Sequence, residues 1–140
     1  MALTRTRARQ IVQLIAAGRV GLGVVASISP GLPLRTWIGP GRRDGGTLLV
    51  GRAMGVRDAA LGIGALLAVR RGAPLRGWVE AGALADAGDA LFTAASFGEL
   101  PRLGRWAVLA AAVTAAGASL AAAPRVDGGG PAWAGQPVSR

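Results

Sequence analysis

Residues 105–123, RWAVLAAAVTAAGASLAAA, form the stretch that most limits how this chain can fold. After the opening Arg105, its only polar side chains are Thr114 and Ser119. A helix on the surface of a soluble protein needs a polar face toward water, and this segment has none. At ~1.5 Å rise per residue, about 19 residues match the ~30 Å hydrocarbon core of a bilayer. The segment is therefore predicted to be a transmembrane helix.

Three further apolar segments of similar length precede this one. We therefore predict an all-α fold, a bundle of four transmembrane helices with short loops. The predicted spans are residues 11–29, 47–69, 78–97 and 105–123. Glycine, proline and arginine fill the breaks between them. Because alanine contributes much of the apolar content, a soluble Ala-rich bundle stays open as an alternative.

The segments outside the bundle are short. Residues 1–10 are predicted to be a basic cytoplasmic N-terminus, and residues 11–123 a single membrane domain. Residues 124–140 are rich in Gly and Pro and are predicted to be a disordered tail. Between the first two spans, Trp37 and its apolar neighbours indicate a short segment at the membrane interface, where Trp is favoured.

The start of the chain admits two interpretations. A basic start before an apolar run is also typical of a signal peptide. Arg19 interrupts this run, however, and no small-x-small cleavage site follows, which favours an uncleaved first transmembrane helix. Arginines are more frequent in the N-terminus, the second loop and the tail than in the other two loops. Both termini are therefore expected on the cytoplasmic side of the plasma membrane.

Composition excludes several classes of chemistry. The chain has 140 residues with no Cys, His or Tyr, which rules out disulfides, thiol nucleophiles, imidazole bases and zinc sites built from Cys or His. Proton chemistry is left to the 7 acidic residues. The net charge of +9 comes from arginines at the ends of apolar segments, which favours a lipid bilayer over nucleic acid as partner. No cofactor or metal is expected.

Six charged side chains inside the predicted spans form the candidate site, as an intramembrane charge network. They are Arg19, Arg52, Arg57, Asp58, Asp86 and Asp89. An isolated charge at the bilayer centre costs ~2.5–3.5 kcal/mol on insertion scales, so these groups are expected to pair. At ~1.5 Å rise per residue, Arg57 lies level with Asp89, and Arg19 lies level with Asp86. Arg52 is expected to reach Asp58, which would balance three arginines with three aspartates.

Glycines on the same helices indicate where the helices pack. The predicted packing positions are Gly51, Gly55, Gly62 and Gly82. The first three share one stripe of their helix with Asp58, and the four-residue step from Gly51 to Gly55 lets helices approach closely. The fourth begins the stripe that holds both aspartates of the next helix. A short turn joins these two helices, so we predict that they are antiparallel neighbours.

The charged pattern resembles that of a group of known proteins. Gly51-Arg52-x-x-Gly55-x-Arg57-Asp58-x-x-Leu61-Gly62, together with Ala85-Asp86-x-x-Asp89, is similar to small, uncharacterised four-helix integral membrane proteins of actinobacteria, over about residues 47–100. The resemblance implies a multi-pass membrane protein and supplies neither ligand nor activity. Asp86-x-x-Asp89 also matches the start of the aspartate-rich motif of CDP-alcohol phosphotransferases. No further Asp follows before Asp127, so an enzyme is not expected.

Two functions stay open for such a protein. In the first, the protein is structural or accessory, and the charges only specify which helix packs on which. Alternatively, they form the working site of an oligomeric small transporter or proton- or ion-conducting protein that uses Asp86 and Asp89. The sequence leaves open whether the partner is a second copy of the chain or another membrane protein.

Overall fold

A computed structural model of the chain describes residues 3–41 and 44–127, and within these ranges the structure is all-helical. The helices are α1 (Arg5–Ile28), α2 (Gly31–Trp37), α3 (Gly45–Arg71), α4 (Arg76–Ala95) and α5 (Arg102–Val126). The all-α prediction is confirmed. In the sequence, the four long helices overlap the four predicted spans, and α2 covers residues of the segment that was expected at the membrane interface.

Two of the described helices, α1 and α5, are long and apolar enough to cross a membrane. They contain 24 and 25 residues and have mean hydropathies of 1.8 and 1.7 over their most apolar stretches. At ~1.5 Å rise per residue, each is ~36 Å long, slightly more than a hydrocarbon core. The other two long helices contain 27 and 20 residues and carry two charges each in their central parts, Arg57 and Asp58 in α3 and Asp86 and Asp89 in α4.

Local signals explain where α3 begins and ends. The Asp44 carboxylate precedes the helix and accepts hydrogen bonds from Thr47 N at 2.9 Å and Thr47 Oγ1 at 2.6 Å. These bonds, the side-chain one first, hold the pKa of Asp44 below its usual value. At the other end, Gly72 adopts φ 62°, the left-handed conformation that glycine takes without strain. The helix therefore has a sequence-encoded start and stop.

Both predicted ends of the membrane domain need correction. The first turns of α1 lie in the predicted N-terminal arm, and Ala8 there is fully buried. At the other end α5 continues to Val126, which is also fully buried, so the predicted disordered tail begins with ordered residues. The physical reason is that apolar side chains at both ends pack into the same core. Residues 128–140 lie outside the described part of the chain.

Asp127, predicted to be part of the tail, caps a different helix. Its carboxylate accepts hydrogen bonds from Leu75 N at 2.9 Å and from Arg76 N at 2.8 Å, at the start of α4. Leu75 occupies the N-cap position of α4 and has no side chain able to satisfy these amides. The end of α5 therefore supplies the cap that the sequence around α4 lacks.

The long helices pack mainly as two pairs, α1 on α3 and α4 on α5, with a further contact between α1 and α5. A Cβ added at Gly55 would lie 2.6 Å from Ser27 N, and one added at Gly62 would lie 2.5 Å from Ala16 O. The glycines of α3 therefore bring its backbone against α1. The predicted α3–α4 neighbours do touch, but their interface is smaller, because the glycine face of α3 is turned to α1.

The buried core occupies one half of the bundle, which we call the closed half. It is built mostly from alanine and valine: Ala8, Val12, Ala16, Ala65, Ala68, Leu75, Val79, Ala122, Ala123 and Val126. In the other half, which we call the open half, α2 lies across the bundle. There Leu34 packs against Gly51, and Gly104 of α5 lies against the backbone of Thr36. The two halves meet near Arg19.

Within the predicted spans, the outward faces of all four long helices are mostly apolar. Leu14 of α1 is 74% exposed, Leu84 of α4 is 75% exposed and Phe92 is 70% exposed. Within the four segments predicted to span the membrane, only five exposed residues are polar: Gln13, Ser29, Arg52, Glu80 and Thr114. The other charged residues of these segments face inward or lie half-buried.

Candidate functional site

The centre of the candidate site is Arg19, on the inner face of α1. Its Nη1 donates to Asp58 Oδ1 of α3 at 3.1 Å. Its Nη2 donates to Asp86 Oδ2 of α4 at 2.5 Å and to the carbonyl oxygen of Gly82 at 2.7 Å. The side chain is only 11% exposed. A single guanidinium thus joins three helices.

A second arginine extends the network along the α3–α4 contact. Arg57 Nη1 and Nη2 donate to the two carboxylate oxygens of Asp89, at 3.3 and 2.8 Å, a two-bond arrangement that fixes orientation. Its Nε and Nη2 also donate to Asp58 Oδ1, at 3.3 and 3.2 Å. Asp58 Oδ1 therefore accepts from both arginines. The result is one continuous chain, Asp86–Arg19–Asp58–Arg57–Asp89.

Gly82 has a specific role in this geometry. Its carbonyl oxygen accepts from Arg19, and a Cβ added there would lie 3.3 Å from Arg19 Nη2. The absence of a side chain lets the guanidinium reach the α4 backbone. Gly82 and Asp86 are one helical turn apart, so both face the same arginine. The predicted stripe on α4 thus faces the Arg19 side chain of α1.

The structure brings five of the six predicted charges together and leaves out Arg52. That residue is exposed and makes no ion pair within the described part of the chain. The expected contact between Arg52 and Asp58 is wrong, because Asp58 is bound by Arg57 from α3 itself and by Arg19 from α1. The network therefore holds three aspartates and two arginines. With all of them ionised, one negative charge is in excess.

The predicted packing glycines are all at contacts, but with different partners. Gly55 and Gly62 face α1, Gly51 faces Leu34 of α2, and Gly82 faces Arg19. The sequence analysis missed Gly23, whose added Cβ would clash with the α3 backbone at Ala59. Gly23 and Ser27 have the same small-x-x-x-small spacing as the predicted pair on α3, and this signal would have identified them.

A polar contact also ties α2 to the network. Trp37 Nε1 donates to Thr93 Oγ1 at 3.2 Å, and that hydroxyl donates to the Asp89 carbonyl oxygen at 2.6 Å. Thr93 is 1% exposed, and Trp37 is half-buried. Trp37 therefore packs into the bundle, whereas the sequence suggested a position at the membrane interface.

A cavity of about 370 Å³ lies beside the network in the open half. Four of the charged residues line it: Arg19, Asp58, Asp86 and Asp89. The remaining wall is mostly apolar and comes from α1, α2, α3 and α5: Ile15, Gly18, Leu22, Ala26, Pro33, Leu34, Trp37, Gly51, Met54, Gly55, Val108, Ala111, Ala112 and Ala115. Gly18 and Leu22 of α1 and Ala111 of α5 are exposed, so the cavity opens between α1 and α5.

The arrangement has narrow chemical possibilities. Within the described residues, no three acidic side chains are grouped closely enough to hold a metal ion. Both guanidiniums are occupied by carboxylates, which removes them as free anion-binding groups. In comparisons with protein-family models, curated proteins and solved structures, no match to the chain was found.

Proposed function

We propose that the chain is a multi-pass integral membrane protein in which α1, α3, α4 and α5 all cross the bilayer. Its role is structural or accessory and not catalytic, and the Arg/Asp network holds α1, α3 and α4 in register. One observation carries the proposal. Within the predicted spans, large apolar side chains cover most of the outside of the bundle, and every charged side chain except Arg52 and Glu80 is buried or half-buried.

This distribution differs from that of a typical soluble protein, whose charged side chains are mostly exposed. Leu84 on the outside of α4 is 75% exposed, whereas Asp86, two residues along, is 8% exposed. Large exposed apolar side chains lie on all four long helices, which is typical of a membrane or an interaction surface. In lipid, the exposed leucines need no cover, and the inward charges are paired as the hydrocarbon requires.

The depth of Arg19 argues that α3 and α4 enter the membrane with α1. Arg19 lies ~21 Å from the start of α1 and ~14 Å from its end at ~1.5 Å rise per residue, so it is near mid-membrane when α1 spans. It is hydrogen-bonded to Asp58 of α3 and Asp86 of α4. These carboxylates therefore lie at the same depth, which explains why helices with several charges are part of the bundle.

The proposed setting is the plasma membrane with both termini cytoplasmic, as the arginine distribution favours. The resemblance to small four-helix membrane proteins of actinobacteria implies several spans and no particular orientation. The short α2 would then lie on the extracytoplasmic side, in the open half of the bundle.

The absence of native cysteine makes the topology directly testable. Single cysteines at the exposed positions Arg5 and Arg71 would lie on one side of the membrane, and those at Arg35 and Glu99 on the other. In spheroplasts, a membrane-impermeant maleimide should label Arg35→Cys and Glu99→Cys, and should label the other two only after permeabilisation. Equal labelling of all four without permeabilisation, or release of the chain by alkaline carbonate, would refute four spans.

A second candidate function is an oligomeric small transporter or proton- or ion-conducting protein. The observation that favours it is the cavity, because Asp86 and Asp89 both line it. In that case their carboxylates would bind the transported cation or proton. The purified chain in liposomes should then conduct under an imposed proton or ion gradient, and no flux in any gradient would remove this candidate for the ions tested.

A further inference from the structure

We infer that the cavity of the open half is a binding site for a lipophilic organic cation of single positive charge, which enters between α1 and α5. The inference goes beyond a structural role for the network. It depends on the proposed membrane location only for the route of entry, since the site itself is formed within one chain.

The charge of the site is the first argument. Three carboxylates face two guanidiniums, so with all five groups ionised the network has one uncompensated negative charge. Asp58 Oδ2 and Asp86 Oδ1 accept no hydrogen bond from the described residues. Neither oxygen is fully buried. Among the described residues, Arg105 Nε is the only side-chain N or O atom that is fully buried and has no hydrogen-bond partner. Free acceptor capacity next to excess negative charge selects a cation.

The wall of the cavity is the second argument. Apart from the charged residues, its lining is aliphatic with one aromatic ring, Trp37. The hydrogen bond to Thr93 holds this indole in place, and aromatic rings attract cations. The volume of about 370 Å³ falls within the ~300–1,000 Å³ typical of small-molecule pockets. An apolar wall around a small charged patch fits an organic cation with a large apolar body.

The mouth of the cavity is the third argument. Gly18, Leu22 and Ala111 at the rim are exposed on the outward faces of α1 and α5, where the proposed setting places lipid. A hydrated inorganic ion would have to lose water to pass this apolar rim, whereas a lipophilic cation partitions into it. An anion is disfavoured, because both guanidiniums already bind carboxylates.

The test uses tetraphenylphosphonium and its isosteric anion tetraphenylborate with the purified full chain in detergent. We expect saturable binding of about one tetraphenylphosphonium per chain by equilibrium dialysis, and no saturable binding of tetraphenylborate measured in separate samples, since the two ions precipitate together. Asp86→Asn removes the excess charge and should weaken binding by at least about tenfold. No saturable binding of the cation above that of empty micelles, or equally tight saturable binding of tetraphenylborate alone, would overturn the inference.

A second variant keeps the test valid if Asp86→Asn fails to fold. Gly18 lies at the rim, and a Cβ added there meets nothing within 4 Å, so Gly18→Leu fills the mouth without disturbing the packing. Gly21 on the same helix is equally open but does not line the cavity, so Gly21→Leu is the matched control. The first should weaken tetraphenylphosphonium binding and the second should leave it unchanged. Identical binding by the two variants would contradict the proposed site.

These results separate the inference from the proposed function. A chain that labels as four spans but does not bind tetraphenylphosphonium disproves the binding site alone. A chain that binds the cation in detergent but is extracted from membranes by carbonate keeps the site and disproves the membrane location.

Discussion

The closed and open halves of the bundle hold the same helices together by different means. In the closed half, alanines and glycines let the helix backbones touch, as where Gly62 meets Ala16 O. In the open half, α1 and α3 also touch, at Gly23 and Gly55, but paired arginines and aspartates join α4 to them, and a cavity lies beside these bridges. Small residues thus close the space between helices, whereas paired charges hold helices together without filling it.

The largest expected effect is on the charge network, at the boundary of the two halves. Arg19→Met leaves Asp58 and Asp86 without their shared cation, and breaking a buried ion pair in this way costs about 3–5 kcal/mol. The matched control is Arg52→Met, which should change the free energy of unfolding by less than about 0.5 kcal/mol. Denaturation in mixed detergent micelles measures both. Equal destabilisation by the two variants would indicate that Arg52 also belongs to the network.

The closed half can be broken with a single methyl group. Gly62→Ala places a Cβ 2.5 Å from Ala16 O and should destabilise the chain by about 1–3 kcal/mol, because α1 must move away from α3. Gly117→Ala is the control, since nothing lies within 4 Å of its added Cβ. It should be neutral or stabilising by up to about 1 kcal/mol through helix propensity. An unaffected Gly62→Ala protein would show that α1 and α3 are not in backbone contact.

Substitution of Asp89 tests whether the charge network holds helices together or conducts a cation. If its role is structural, Asp89→Asn leaves Arg57 short of its partner and should lower stability by about 1–3 kcal/mol, with a reduced folded yield in detergent. The swap Arg57→Asp with Asp89→Arg should partly restore the yield. If the chain conducts, Asp89→Asn should instead stay folded and lose flux in liposomes, so folded yield and flux are measured on the same preparation.

A smaller effect is expected where the closed half is capped by Asp127. Asp127→Ala leaves the Leu75 and Arg76 amides without their acceptor and should cost about 1 kcal/mol. Asp127→Asn keeps an acceptor oxygen and should recover most of this loss. Hydrogen exchange of the first turn of α4 gives the local readout, and unchanged protection in Asp127→Ala would disprove the cap.

The smallest effect is at Asp44, the corresponding cap in the open half. The pKa of this carboxyl is lowered by its bonds to Thr47, so its contribution is present above the unfolded pKa and is lost as pH falls through the lower folded pKa. The melting-temperature difference between the parent and Asp44→Ala should therefore shrink below about pH 4. A difference that is independent of pH would show that the carboxylate is not the capping group.

The depth of each charge along its own helix could be predicted from the sequence, because the rise per residue is constant. Arg57 lies at the level of Asp89 and Arg19 at the level of Asp86, and both pairs are hydrogen-bonded. Rotation about the helix axis was harder to predict. At ~100° per residue, Arg52 and Asp58 are ~120° apart around α3, which a count of charges overlooks. Arg52 therefore faces outward.

Contacts between distant segments were the other part beyond prediction. That α3 packs mainly on α1 depends on Gly23 and Gly55 facing each other, and no loop length encodes this. The cap from Asp127 to α4 joins residues 52 positions apart, in a segment whose composition is typical of disorder. The cavity likewise depends on how α1, α2, α3 and α5 are arranged around the network, which single-helix patterns do not show.

Because Asp127 caps α4, the first turn of α4 is completed late in the synthesis of the chain. The chain emerges from the ribosome N-terminus first, so α4 is complete before its own N-terminal amides have an acceptor from the end of α5. Until residue 127 appears, the first turn of α4 depends on water or on temporary partners. Packing of α5 onto the bundle therefore completes the N-terminal cap of α4. A nascent chain that stops at residue 123 would lack this cap.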